Sequence, residues 1–169
     1  MQLKYLKRRE LVATPTTLGQ HIKKWRLKLK LTLKEAGKLL GTDESSIINW
    51  EKGRTVPKVY RLPAIIRFLG YNPLPEPRTV AERLVTKRLE RGWSRKAASR
   101  HLGIDESTLR DWEQGKIILF RKHRRLVANF LAIREGEVDD EMKAPWKNAH
   151  GQTNAAESLV LSRLYGDLA

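Results

Sequence analysis

The sequence predicts an all-α chain in which one small helical unit occurs twice in tandem, with a proline-rich linker between the copies. The main observation is a repeat without gaps: residues 41–53 (GTDESSIINWEKG) return 62 residues later as residues 103–115 (GIDESTLRDWEQG). Apolar residues also recur at helical spacing behind helix-capping signals, and three prolines stand between the copies. Such a repeat indicates one structural unit built twice.

These signals divide the chain into five segments. We predict a basic N-terminal arm at residues 1–17, a first domain at 18–70, a linker at 71–79, a second domain at 80–133 and an acidic, polar C-terminal tail at 134–169. The linker is expected to be semi-rigid because its three prolines favour an extended conformation. For the tail, disorder is the main expectation. The alternative is a short amphipathic helix at 155–168 that caps a domain or pairs with a second chain.

Three helices are expected to begin at a capping box, in which a threonine and a glutamate or glutamine three residues later satisfy backbone amides reciprocally. The pairs are Thr17 with Gln20, Thr32 with Glu35, and Thr79 with Glu82. The apolar face predicted for the helix after Thr17 contains Leu18, Ile22, Trp25 and Leu29.

Each copy then places a glycine turn between two short helices. Gly41 and its counterpart Gly103 stand where the second helix of each copy ends, and a left-handed backbone conformation costs glycine nothing there. Asp43 follows as the N-cap of a third helix that turns Ile47 and Trp50 inward. Two short helices joined by a tight turn are the layout of a helix-turn-helix motif.

Net charge is the strongest signal in the composition. The chain carries +15, with a pI of about 10.3. Residues 1–73 hold +11, residues 74–133 hold +7 and residues 134–169 hold −3. Because the positive charge lies on the repeated part, we expect that part to face a polyanion. The arm is expected to pack on the first domain, to follow a DNA groove, or to fray.

The composition gives little support to other classes of protein. There are no cysteines, and the four histidines lack the spacing of metal ligands. No apolar run approaches the ~20 residues of a membrane span, and no signal peptide is recognised. We find no nucleophile with a partner base and no phosphate-binding loop. The expectation is therefore no enzyme, no cofactor, no metal and no membrane partner.

Both copies resemble the lambda-repressor-like (Cro/CI, XRE) family of helix-turn-helix domains, over residues 18–70 and 80–132. The matching residues of the first copy are Arg26, Leu31, Thr32, Glu35, Ala36, Gly37, Leu40, Gly41, Asp43, Ser45, Ile47, Trp50, Glu51 and Gly53. Those of the second copy are Arg88, Ser94, Ala98, Ser99, Leu102, Gly103, Asp105, Ser107, Leu109, Trp112, Glu113 and Gly115. The resemblance implies a bacterial or phage DNA-binding regulator of transcription, located in the cytoplasm at the nucleoid.

The resemblance also implies roles for individual residues. The helices that begin at Asp43 and Asp105 would enter the major groove of double-stranded DNA by their N-terminal ends. The base-reading candidates are Glu44, Ser45, Asn49, Glu106, Ser107, Arg110 and Asp111. The phosphate-contact candidates are Thr32, Lys34, Lys52, Arg54, Lys58, Ser94, Arg95, Lys96, Lys116 and Arg121. Structural ion pairs are implied between Arg26 and Glu51 and between Arg88 and Glu113.

Side-chain chemistry suggests what the two helices would read. Asn49 can make two hydrogen bonds to adenine, Arg110 suits guanine, and Glu44 can accept from a cytosine amino group. Relatives often carry glutamine just after the residue that opens the second helix, whereas this chain has Leu33 and Arg95 there. Only Arg95 could replace that phosphate contact. The two copies are therefore expected to read different half-sites.

Two functions remain open at this point. The first is a sequence-specific repressor that reads the major groove with two non-identical helices, with a homodimer as a further possibility. The second is a DNA-tethered interaction module, antitoxin-like or accessory to a phage or mobile element. In this alternative the second domain or the tail binds a protein partner. It is motivated by Glu106 and Asp111, because acidic residues are unfavourable beside DNA phosphates.

Overall fold

A computed structural model of the chain describes residues 14–116, 121–142 and 155–165. Most of the predicted basic arm and parts of the predicted tail lie outside the described residues. All regular structure within the described part is helical, so the predicted all-α fold class is confirmed. The chain divides into two compact units, Met1–Pro73 with Ser162–Ala169, and Leu74–Leu161.

In the first unit, α1 and α2 each pack against α3 and α4. The elements are α1 (Leu18–Lys28), α2 (Leu33–Leu40), α3 (Glu44–Glu51), a 3₁₀ turn (Val59–Arg61) and α4 (Leu62–Leu69). The buried core residues are Leu18, Ile22, Ala36, Leu40, Ile47, Trp50, Leu62, Ile65 and Leu69. They come from all four helices, so no helix of this unit could bury its apolar face alone.

In the second unit, α5 packs against α7, α8 and α9. The elements are α5 (Val80–Glu90), α6 (Arg95–Leu102), α7 (Glu106–Glu113), α8 (Arg121–Leu131) and α9 (Glu135–Met142). The last described helix is α10 (Ala155–Tyr165), which from Ser162 onward belongs to the first unit. The core of the second unit includes Val80, Leu84, Ala98, Leu102, Leu109, Trp112, Val127 and Phe130.

Core positions recur with the spacing of the sequence repeat. Leu18, Ile22, Ala36, Leu40, Ile47 and Trp50 are each followed 62 residues later by another buried residue: Val80, Leu84, Ala98, Leu102, Leu109 and Trp112. Full burial of a large apolar side chain contributes about 1.5–3 kcal/mol. The same positions thus supply the driving force for folding in both units.

The predicted helix starts are present, but only one is a complete capping box. Thr32 accepts from the Glu35 amide at 3.2 Å, and Glu35 accepts from the Thr32 amide at 2.7 Å. At the other two starts the reciprocal contact reaches one residue further back. Gln20 accepts from the Thr16 amide, and Glu82 from the Arg78 amide. Each helix nevertheless begins at its predicted threonine.

Both glycine turns have the predicted left-handed conformation, with a φ of 65° at Gly41 and at Gly103. The first turn has an additional support that the sequence did not reveal. The Arg61 guanidinium donates to the carbonyl oxygens of Leu40 at 3.1 Å and Gly41 at 2.6 Å. It therefore satisfies carbonyl groups that the end of α2 leaves without helical partners.

Two features differ from the sequence-based expectations. Leu29 is 48% exposed, because α1 ends at Lys28 and Leu29 lies at its C-cap rather than on its apolar face. Within the predicted tail, residues 135–142 form α9, whose Val138 is fully buried in the core of the second unit. Arg83 also pairs with Glu137 at 3.9 Å. This acidic segment is therefore a helix that packs on the core of the second unit.

Candidate nucleic-acid interface

The helix α3 begins at an aspartate cap. The Asp43 carboxylate accepts from the Ser46 amide at 2.8 Å, from the Ser46 hydroxyl at 2.7 Å and from the Ser45 hydroxyl. The Ser45 hydroxyl above all, with the Ser46 hydroxyl and amide, holds the pKa of Asp43 well below its ordinary value. The carboxylate is therefore ionised at neutral pH and complements the positive end of the helix dipole.

The solvent-facing side of α3 is named here the first recognition face, because the resemblance implies base reading there, and it is formed by Glu44, Ser45, Ile48 and Asn49. Glu44 and Ser45 are exposed, and Ile48 and Asn49 are half-buried. Because Ser45 donates its hydroxyl proton to Asp43, it offers a base an acceptor rather than a donor. Ile47 and Trp50 on the opposite side are buried and fix the rotation of α3 about its axis.

An ion pair fixes the far end of α3 to α1. Arg26 Nε donates to Glu51 Oε1 at 2.6 Å, and Arg26 Nη2 donates to Glu51 Oε2 at 2.8 Å. A third bond runs from Arg26 Nη1 to the Leu31 carbonyl oxygen at 3.0 Å. Hydrogen bonding to Glu51 raises the pKa of Arg26. This fork geometry attaches the C-terminal end of α3 to α1. The Asp43 cap stabilises the N-terminal end of α3 locally.

The second recognition face is the matching side of α7, formed by Glu106, Ser107, Arg110 and Asp111. The first three are exposed and Asp111 is half-buried. Arg110 Nε lies 3.7 Å from Asp111 Oδ1. Asp105 stands at the N-cap of α7, but its side chain makes no capping hydrogen bond. The start of α7 is therefore held less firmly than the start of α3.

Glu113 at the end of α7 is shared by two arginines. Arg88 Nε and Nη2 donate to its two carboxylate oxygens at 2.5 and 3.1 Å, and Arg95 Nε donates to Oε2 at 3.1 Å. Arg88 and Glu113 are 2% and 1% exposed. Arg95 was predicted as a phosphate contact, yet its side chain is only 22% exposed and is engaged by Glu113. Its counterpart Leu33 cannot make this bond, because a leucine side chain has no hydrogen-bond donor.

Most of the other phosphate-contact candidates lie at the surface. The exposed candidates are Thr32, Lys34, Lys52, Arg54, Lys58, Ser94, Lys96 and Lys116. The hydroxyls of Thr32 and Ser94 already accept from backbone amides as N-caps of α2 and α6. Arg121 opens α8, and its side chain lies outside the described part.

Contacts that sequence reasoning missed join residues far apart in the chain. His21 Nδ1 lies 2.6 Å from the Tyr71 hydroxyl, and the rings of Trp25 and Tyr71 meet edge to face at 5.9 Å. The Tyr165 hydroxyl donates to the Pro57 carbonyl oxygen at 3.2 Å. No local pattern marks these pairs, because their partners are 46 to 108 residues apart.

Comparison with known proteins adds one match. The helix-turn-helix family matches the chain over residues 22–75 and 84–119, which is more than half of its length. No curated protein and no solved structure matches the chain. Within the described residues, no group of His, Asp and Glu side chains is arranged to hold a metal ion. None of the described helices has the length and apolar character needed to cross a membrane.

Proposed function

Because this chain belongs to the lambda-repressor-like (Cro/CI, XRE) helix-turn-helix family of DNA-binding regulators, we propose that it is a sequence-specific repressor with two reading heads. In this proposal α3 and α7 each enter the major groove of double-stranded DNA by their N-terminal ends. The two heads read different half-sites, since the exposed residues of the two recognition faces differ.

One observation carries the proposal: the same supports orient α3 and α7. Each helix is fixed by a buried tryptophan, Trp50 or Trp112, and by a bidentate arginine–glutamate pair near its end. Each turns polar side chains outward and is followed by exposed cations such as Lys52 and Lys116. A helix held in this way can bind DNA as a recognition helix does. Its neighbouring cations then contact phosphates, and its outward side chains contact bases.

The charge around α6 supports a DNA contact by the second head as well. The single carboxylate of Glu113 is shared by the guanidinium groups of Arg88 and Arg95. In the first head, the Glu35 carboxylate accepts from the backbone amide of Thr32 at the start of α2. At the matching position of α6 the residue is Ala97, which has no carboxylate. The start of α6 is thus more favourable to a phosphate than the start of α2.

Selection of bound duplexes from a random DNA pool tests the proposal most directly. We expect two unlike half-sites whose centres lie roughly one helical turn apart. Footprinting of the selected duplex should then show protection in two successive major grooves. Protection of a single groove would rule out two reading heads, and recovery of unenriched sequence would rule out sequence-specific binding.

Asn49→Ala tests the assignment of the first recognition face. Loss of a bidentate contact to a base should cost about 1–3 kcal/mol at the preferred site and relax the preference at one base pair. Binding to random duplexes should change little. Lys52→Ala is the matched control, since removal of a phosphate contact should weaken binding to the preferred duplex and to random duplexes alike. Equal losses on both duplexes for Asn49→Ala would contradict a base-reading role.

A second candidate function is a DNA-tethered module whose second domain binds a protein. The observation in its favour is the second recognition face itself, where Glu106 is exposed and Arg110 is paired with Asp111. Arg110→Ala in the full chain separates the two functions. If α7 reads DNA, this variant should lose the preference within one half-site. If the selected site is unchanged, the protein-binding function is favoured.

A further inference from the structure

The residues that follow α3 form a basic loop, defined here as residues 52–58, that carries three exposed cations: Lys52, Arg54 and Lys58. Its near end is fixed to the recognition helix, because the Arg54 amide donates to the Asn49 carbonyl oxygen at 2.9 Å. Its far end leads into the 3₁₀ turn, where the Arg61 amide donates to the Lys58 carbonyl oxygen at 2.9 Å.

The far end of the basic loop has one more anchor, which comes from the C-terminal helix. Pro57 is buried, and its carbonyl oxygen accepts from the Tyr165 hydroxyl at 3.2 Å. Tyr165 lies in the last turn of α10, next to Leu164, which is 2% exposed. Burial raises the pKa of Tyr165 to about 12, so the hydroxyl keeps its proton and remains a donor at neutral pH.

This hydrogen bond acts on the peptide group that leads into Lys58. The Pro57 carbonyl and the Lys58 amide belong to one planar peptide unit, and the proline ring fixes φ on its other side. With the oxygen held by Tyr165, the direction in which the chain enters Lys58 is fixed. We infer that Tyr165 is a positioning residue that sets the Lys58 phosphate contact of the first reading head.

The inference rests on the proposed function, since it assumes that the first head binds DNA. According to the inference, α10 affects DNA binding through Tyr165, although Tyr165 is 107 residues from Lys58 in the sequence. The positions of the second head that match Pro57 and Lys58 are Leu119 and Phe120, which lie outside the described residues.

Tyr165→Phe in the full chain tests the inference, because phenylalanine keeps the buried ring and removes only the hydroxyl. Loss of one hydrogen bond should weaken binding to the preferred duplex by about 3- to 10-fold. The slope of log affinity against log salt should become less steep by about one phosphate contact. Tyr60→Phe is the matched control, since Tyr60 is 60% exposed in the same region, and its slope should equal that of the unaltered protein.

The double variant with Lys58→Ala completes the design. Lys58→Ala alone should reduce the salt slope by a similar amount, and adding Tyr165→Phe should reduce it little further, because both changes remove one contact. A Tyr165→Phe protein with a lower unfolding temperature and an unchanged salt slope would overturn the inference, since Tyr165 would then be only structural. Additive losses in the double variant would also overturn it. Failure of the unaltered protein to bind duplex DNA would instead refute the proposed function, and the inference with it.

Discussion

Arg88 and Glu113 are the only charged residues of the described chain that are fully buried. Two charges removed from water are stable only when their hydrogen bonds are well made, and removal of one partner leaves an uncompensated charge. Here Arg95 adds a second guanidinium to the same carboxylate. Glu113 therefore faces two guanidinium groups, whereas among the described residues the ion-pair partner of Glu51 in the first unit is Arg26 alone.

This difference gives a prediction for the two glutamates. Glu113→Ala should lower the free energy of unfolding by about 3–5 kcal/mol, because it leaves Arg88 buried without its partner. Glu51→Ala is the matched control and should cost less, because it leaves one guanidinium in a pair that is 11% and 7% exposed. Urea unfolding followed by circular dichroism measures both. An equal or larger loss for Glu51→Ala would contradict the role of the shared carboxylate.

His21 makes the stability of the first unit depend on pH. Burial, and then the charge of Lys24, lower the pKa of His21 below its ordinary value of 6.5, so folding favours the neutral ring, whose Nδ1 lies 2.6 Å from the Tyr71 hydroxyl. The unfolded chain therefore binds more protons just below pH 6.5, and stability should fall as the pH falls through that range.

Urea midpoints measured between pH 7.5 and pH 5.5 test this prediction. The unaltered protein should lose stability across this range, and His21→Gln should show a flatter profile. Asp43 affects stability in a separate pH range. Because its pKa is lowered in the folded chain, the stability that it contributes is lost only as the pH falls below the ordinary value of 3.8. A His21→Gln protein with the same pH dependence as the unaltered chain would show that another group is responsible.

At the scale of elements, α1 and α3 approach each other closely at Gly19. A Cβ atom at Gly19 would lie 1.9 Å from the Trp50 carbonyl oxygen. That oxygen is backbone and cannot rotate away, so a larger residue at Gly19 must displace α3. The matching position in the second unit is Ala81, and α5 and α7 therefore accommodate a methyl group there.

Gly19→Ala should destabilise the first unit by about 1–3 kcal/mol through overpacking. It should also weaken binding at the preferred DNA site, because α3 carries the first recognition face. Ala81→Gly is the matched change in the second unit, where only the helix propensity is lost, at about 0.5–1 kcal/mol. Thermal unfolding and DNA titration measure both effects. Unchanged stability of Gly19→Ala would mean that the helices separate at little cost.

The elements that sequence predicts well are those specified by short-range signals. The helix starts at Thr17, Thr32 and Thr79, and the turns at Gly41 and Gly103, depend on residues within one turn of each other. The acidic α9 was missed because a single apolar residue, Val138, attaches it to the core. Leu29 was misassigned because helical periodicity does not indicate where a helix ends.

The candidate site shows the same division between local and distant signals. Polar residues on the outer sides of α3 and α7 follow from helical periodicity once Ile47 and Trp50 are taken as buried. The bond from Arg95 to Glu113 and the bond from Tyr165 to Pro57 depend on tertiary packing. No spacing rule reaches across 18 or 108 residues, and these partners could be identified only in the folded chain.

At the scale of the whole molecule, the two recognition faces differ at only two positions. Glu44 and Ser45 recur as Glu106 and Ser107, whereas Ile48 and Asn49 are replaced by Arg110 and Asp111. The different half-sites that we propose must therefore arise mainly from these two replacements.

Arg110→Ile combined with Asp111→Asn tests this conclusion, because it gives the second face the outward residues of the first. Selection from a random pool should then recover two similar half-sites in place of two unlike ones. The opposite exchange, Ile48→Arg with Asn49→Asp, should make both half-sites resemble that of the second head. Unaltered selected sites in both variants would contradict reading by these positions.

The different faces of α3 and α7 have a consequence for the orientation in which the chain binds DNA. A symmetric dimer on a palindrome binds identically in either orientation, so it cannot distinguish upstream from downstream. A single chain that carries two unlike recognition helices in a fixed covalent order has no such symmetry. On an asymmetric site it would bind in one orientation only, and its C-terminal end would always point the same way relative to a neighbouring promoter.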